Sequence, residues 1–404
     1  MNPEALPSVT QPGSDGARAL FPGTRELVYM DVAGRAPLCL PVRAALDHYF
    51  DAALTGGDKA AMFRTLESAR SRFAALINCS AEEVAVTKNV SEGLNIMAAS
   101  LPWRQGDNVV VCEELEHANN VYVWRNLQRR LGVEVRNLPA SDGRYPIDDM
   151  AAAIDARTRL VTACTHTFTP GFRTDVDRLG NACRQAGAIF LLDGAQSVGI
   201  TDIDVKRQPV DALAVSTQKG LLGLYGMGFL YVRREQAERI QPVYLARFSV
   251  DLGDSGEAAS STEAYRLMPG SKRFDLGNYN FPAAAAVDAS MALIESIGIP
   301  SIETHTRALA ARLAKELSGL GLPVCGASLD ADRDHIVSVG VLGAGHNLSA
   351  DPRMQSLYDE LSREGVKLSI RKDTLRFSLH LYNNDDDVAR VIDIARRWSS
   401  RHGT

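Results

Sequence analysis

The chain has 404 residues, 45% of them hydrophobic and 23% charged, with a formal net charge of −5. That length supports two domains and a sizeable core, and the composition excludes a disordered chain. The mildly acidic charge is spread along the sequence and gives no basic patch for nucleic acid, so the expected partners are a small molecule and a second copy of the chain.

Residues 1–20 contain three prolines and two glycines and carry no apolar segment. They read as a loosely ordered lead-in rather than a secretory signal. No apolar run approaches the roughly 18 residues of a membrane span. Cys39, Cys79, Cys112, Cys164, Cys183 and Cys325 form no CxxC pair. They are expected to be buried thiols, not disulfides or metal ligands, in a cytoplasmic protein.

From about residue 80, short β-branched runs alternate with amphipathic stretches. The runs are 83–87, 108–112, 134–138, 160–164, 189–192, 212–215 and 229–232; helices at 119–131 and 175–186 lie among them. This alternation predicts an α/β domain with a mostly parallel seven-stranded sheet covered by helices. The run at 229–232 follows 212–215 through a glycine-rich connection and is expected to pair antiparallel. The Ser-, Gly- and Glu-rich segment 248–268 reads as a solvated loop, or as a lid or partner contact. Beyond 280 the pattern changes to helices at 281–297 and 302–317, short strands at 335–342, 366–370 and 374–379, and a last helix after Asn384. The expected division is a large domain over 24–280 and a smaller α+β domain over 281–404, joined by the segment 1–23.

In parallel sheets, ligands gather beyond the carboxyl ends of the strands, so polar residues following the apolar runs are the first candidates. Asp193 ends one such run, where a carboxylate is costly to bury alone. Lys219 follows the next, in Ser216-Thr217-Gln218-Lys219-Gly220. Adjacent strand ends would bring an acid and an amine into one crevice. Pyridoxal-phosphate chemistry needs that pair: an amine for a Schiff base, and a carboxylate to keep the pyridine nitrogen protonated.

Asp193-Gly194-Ala195-Gln196, followed by Ser216-x-Gln218-Lys219-Gly220, resembles the class V aminotransferases, a group that includes cysteine desulfurases and isopenicillin epimerase-like enzymes. The resemblance runs from Tyr29 to about Asp387. It implies fold type I, bound pyridoxal 5'-phosphate and a homodimer with shared active sites. By the resemblance Asp193 meets the pyridine nitrogen, Gln196 the ring hydroxyl, and Ser216 and Gln218 the phosphate. Lys219 forms the Schiff base and shuttles protons. Thr87-Lys88-Asn89-Val90-Ser91-Glu92-Gly93 resembles the phosphate loop, with Val90 and Ser91 at the cofactor and Ser91 capping a helix from Glu92. His117, after Glu116, matches the histidine that stacks on the ring. Thr169 stands nearest a ring-hydroxyl contact. Asn278, in Lys272-Arg273-Phe274-Asp275-Leu276-Gly277-Asn278, matches the residue that reaches the partner's phosphate. Arg376, in Leu375-Arg376-Phe377-Ser378, matches the holder of the substrate carboxylate, a task suited to a two-pronged donor. Ala33, Gly34 and Arg35 match the substrate side. Taken singly, each also reads as an ordinary surface or capping residue.

The resemblance leaves the reaction open. Desulfurases carry a thiol shortly before the carboxylate-binding arginine, and 366–374 contains no cysteine. Cys325 lies too far away. Transamination is placed first, with β-elimination of a C–S bond and epimerisation or racemisation as alternatives. A non-catalytic binding module on the same fold is the reading from another class, and the retained Lys219 argues against it.

Overall fold

The computed structural model describes residues 11–253, 265–326 and 332–402. Its strands, in chain order, begin with β1 (Val28–Tyr29), β2 (Val84–Thr87), β3 (Asn108–Val111), β4 (Glu134–Asn137) and β5 (Thr158–Cys164). They continue with β6 (Ile189–Asp193), β7 (Ala212–Ser216), β8 (Gly228–Val232), β9 (Val250–Asp251) and β10 (Arg266–Leu267). The last four are β11 (Ile336–Val339), β12 (Val366–Lys367), β13 (Ser369–Arg371) and β14 (Thr374–Ser378).

Seven strands form one sheet in the order β2-β8-β7-β6-β5-β3-β4. All neighbours are parallel except β8, which runs antiparallel to both β7 and β2. The predominantly apolar sequences of the central strands follow from burial on both faces. In β6, Phe190 and Leu192 enter the core on one face, while Ile189 and Leu191 enter the core on the other. Edge strand β4 instead exposes Glu134 and Asn137 and keeps Arg136 half-buried, polar groups that discourage further pairing.

A second, three-stranded antiparallel sheet, β11-β14-β13, packs under helices Ile299–Gly319, Pro352–Arg363 and Asp385–His402. The run expected at 366–370 is split. β12 pairs parallel with β1, whereas β13 turns back on β14. The β13–β14 turn holds Lys372 and Asp373 at positive φ, the two-residue geometry that suits a twisted hairpin.

Segments on either side of the expected boundary at residue 281 share cores. Helix Phe281–Ile297 places Ala283, Ala284, Val287 and Met291 in the core of the large sheet. Conversely, Val28 and Met30 belong to the core of the small sheet. The lead-in also departs from expectation. Ser14 caps a short helix, Asp15–Ala19, and Ala17, Leu20 and Phe21 are buried. Arg18 pairs with Asp387 at 2.8 Å, fixing this segment to the last helix. Residues 1–10 lie outside the described residues, as does the 254–264 portion of the segment 248–268. All six cysteines are free thiols, four buried and two half-buried. No single described helix is long and apolar enough to cross a membrane.

Candidate active site

Parallel register sets β5, β6 and β7 with their carboxyl ends side by side: Cys164 lies opposite Asp193, and Asp193 opposite Ala214. The polypeptide leaving these ends lines a cleft of ≈ 250 Å³. Asp193, Gln196, Ser216, Gln218 and Lys219 all face it, with His117 and Val90 from neighbouring strand-to-helix turns. Arg376, from β14 of the small sheet, closes the other side with Ala33 and Gly34.

Two glycines make the Lys219 loop possible. A side chain on Gly199, whose φ is +96°, would start 2.2 Å from the Gly220 carbonyl oxygen; one on Gly220 would meet Val198 O at 2.4 Å. The turn after β6 and the loop after β7 therefore touch backbone to backbone. His380 extends this contact, its Nε2 lying 2.8 Å from Gly220 O.

Burial sets the electrostatics. Lys219 keeps some surface open to the cleft, but protein surrounds its amine closely enough to push the pKa down to about 8, with Asp193 opposing the shift. Asp193 is raised by burial, tempered by the Ala195 N–H and by Lys219. Its Oδ1 accepts from Ala195 N at 2.9 Å. His117 is lowered by the surrounding protein and then by Lys219, so it stays neutral near pH 7. Arg376 is lowered to about 10, chiefly by burial. Its Nε donates to Ser369 Oγ (3.2 Å) and its Nη1 to Phe168 O (3.0 Å), while Asp31 Oδ1 lies 3.6 Å from Nη2.

The cleft fits pyridoxal phosphate. The buried Gln196 Oε1 and Ser216 Oγ have no hydrogen-bond partner in the protein, and both belong to the cleft lining. An acceptor and a hydroxyl left unpaired in a polar cleft suit the ring and phosphate of that cofactor. The N-terminus of helix Val90–Ser100 opens on the same space through Val90.

The aminotransferase class-V family model matches residues 28–391. A probable cysteine desulfurase of Methanothermobacter thermautotrophicus is 31% identical over 401 residues, covering 93% of this chain and 95% of that protein. The chain belongs to the aminotransferase class-V family. An uncharacterised Bacillus subtilis aminotransferase, YcbU, is 29% identical, with 93% and 95% covered. The apo cysteine desulfurase of Thermococcus onnurineus superposes with a TM-score of 0.83 at 25% identity, over 95% of this chain and 98% of that one. A cystine C–S lyase, C-DES, in complex with its product cysteine persulfide superposes at 0.81 and 22%, covering 94% and 99%. This class-V enzyme therefore has the fold type I architecture, and pyridoxal phosphate is its cofactor.

Not every residue singled out by sequence lines the class-V cleft. Ser91 does not, and the helix begins two residues earlier than expected: Asn89, not Ser91, is its cap, accepting from Glu92 N at 2.9 Å. Thr169 is buried with its hydroxyl on Phe168 O, and Phe168 takes the place at the cleft. Arg35 is exposed outside it. Asn278 lies on a different cavity, with Thr87, Lys88 and Gly226. Sequence reasoning missed Asn119, Cys164, His166, His346 and Arg371, all in the cleft lining. The signal for the last two was the pair Gly343 and Gly345. A side chain on either would start 2.0 Å from an Asp373 carboxylate oxygen. Asp373 ties that loop to the hairpin by accepting from Gly345 N and Ala350 N, which brings His346 beside Arg371.

Proposed function

We propose that this enzyme cleaves the C–S bond of a sulfur-containing amino acid by β-elimination, with a disulfide amino acid such as cystine as the best-fitting substrate. The observation that carries this reading is a pair of arginines at the substrate side of a cleft without a usable thiol. Arg376 is held by Ser369 and Phe168 in a position to take the α-carboxylate. Arg371 reaches Asn347 Oδ1 (3.1 Å) and Ile370 O (2.7 Å) and makes no ion pair among the described residues. A cation on a cleft wall with no acid partner favours a second anionic group on the substrate. Cystine carries two carboxylates.

Bound pyridoxal phosphate supplies the electron sink that lets the α-carbon give up its proton. The protein does the rest. Asp193, whose Oδ1 accepts from Ala195 N, would hold the pyridine nitrogen. Lys219, with its pKa near 8, has a neutral fraction able to accept the α-proton close to neutral pH. His117, kept neutral, covers the cleft from the opposite turn. Elimination then breaks the Cβ–S bond; cystine and water yield pyruvate, ammonia and cysteine persulfide.

Persulfide transfer to a protein thiol has little support. Cys164 is the cysteine in the cleft lining, and its Sγ lies 2.9 Å from the Tyr145 hydroxyl. Burial, and then Glu116, push that thiol well above its ordinary value, so it stays protonated and a poor nucleophile. Cys325 lies outside the cleft lining, its thiol on Gly340 O. The names of the desulfurase and C–S lyase relatives support the lyase reading over transamination, which sequence placed first.

The test is to give the holoenzyme cystine, cysteine and alanine and to measure pyruvate and low-molecular-weight persulfide. Cystine is expected to yield both in equal amounts. Keto acid from alanine with no sulfur product, or persulfide found on the protein itself, would sink the proposal.

A further inference from the structure

At the floor of the cleft, which His166 helps to line, this residue from the turn after β5 meets Asp334 and His335, which precede β11 in the small sheet. All three are at most 1% exposed. His166 Nε2 and Asp334 Oδ2 are 3.0 Å apart, and His335 Nδ1 is 3.9 Å from Asp334 Oδ1, beyond hydrogen-bonding reach. One donor atom from each residue lies within 4.8 Å of the others. His166 Nδ1, Asp334 Oδ1 and both nitrogens of His335 have no hydrogen-bond partner. Each buried polar atom left so costs about 1–3 kcal/mol, so the cluster calls for an occupant, and a single ion takes one atom from each of the three residues.

Two imidazoles and one carboxylate form a donor set for a borderline first-row ion. Magnesium and calcium prefer oxygen alone. Ligand bonds of about 2.0–2.1 Å in a tetrahedral site set neighbouring donors roughly 3.3 Å apart. These donors lie within 4.8 Å of one another, so the widest pair closes by up to about 1.5 Å, shared between two side chains. The nearest cation does not forbid the ion. Arg173 Nη1 stands 3.7 Å from Asp334 Oδ2, but its charge is met by Glu303 at 2.9 Å.

We propose that His166, Asp334 and His335 bind one zinc-class divalent ion, which pins the small sheet to the turn after β5. The reading does not rest on the proposed reaction, although His166 also lines the cleft. Protein made without a histidine tag, in zinc-supplemented medium, and then dialysed is expected to hold about one zinc per chain. Cobalt in its place should give visible absorption separate from the cofactor band. His335→Ala and Asp334→Asn should each lower the zinc content to below about a tenth per chain with the cofactor band retained. Chelator-stripped wild-type enzyme should melt at a lower temperature and recover with zinc but not magnesium, a readout that does not depend on the variants folding. Wild-type protein without stoichiometric zinc, or variants with undiminished zinc, would overturn the site and leave a buried water as the occupant.

Discussion

Lys219 is a strong base on a long stem, and the cleft changes how it behaves. Burial brings its pKa to about 8, so capture of the cofactor by the apoprotein should accelerate as pH rises towards 8 and level off above, followed by stopped-flow absorbance. A flat profile between pH 6 and 9 would contradict the assignment of the nucleophile. Arg376→Ala should weaken amino-acid binding by roughly 10–100-fold, the worth of a charge-assisted contact, while cofactor affinity holds. Titration with a non-reactive substrate analogue reads that split. Glu116 is a different case, a carboxyl that burial raises to about 8 from its ordinary 4.5. Its folded value lies above its unfolded one, so its contribution to stability is full below pH 4.5 and is lost as pH climbs through 8. Glu116→Gln should flatten the fall in melting temperature between pH 5 and 8; an unchanged slope would place the dependence elsewhere.

At the level of elements, the segment carrying Asn278 does more than sequence suggested. Asp275 binds the buried Arg70 at 2.7 Å, and accepts from Val86 N of β2 at 2.8 Å and from the Tyr279 hydroxyl at 2.8 Å. One carboxylate thereby fixes the edge strand of the large sheet to helix Lys59–Leu76. Asp275→Ala leaves a guanidinium buried without its main counter-charge and should cost about 3–5 kcal/mol in urea denaturation. A loss under 1 kcal/mol would mean that Glu67, 3.1 Å from Arg70, is sufficient alone. The strands themselves were legible because each interior run is predominantly apolar, and the helices because their apolar positions recur at helical spacing. The split between β12 and β13 was not. Both halves read as one β-branched run, and only their different partners, β1 and β14, separate them.

For the whole molecule, the position of Asn278 away from its own cleft supports the proposal of a homodimer whose sites are completed across the interface. Mixing Lys219→Ala with Asn278→Ala tests it. If subunits exchange and sites are shared, the mixture should regain about a quarter of wild-type activity, because one site in each mixed dimer is intact. No recovery, in subunits shown to exchange, would mean that each chain builds its site alone.

The sequence by itself determined the sheet and pointed to Asp193, Lys219 and Arg376, which the structure brings to one cleft. Those signals are local: an apolar run ends, a polar residue follows, and parallel register does the rest. Which residues gather around Asp193 and Lys219 was decided only by the tertiary structure. His166 and Asp334, Arg371 and His346, and Asp275 and Arg70 are each joined across stretches of chain with no pattern linking them. Contacts of that kind arise from how two sheets pack against each other, and side-chain periodicity carries no record of them.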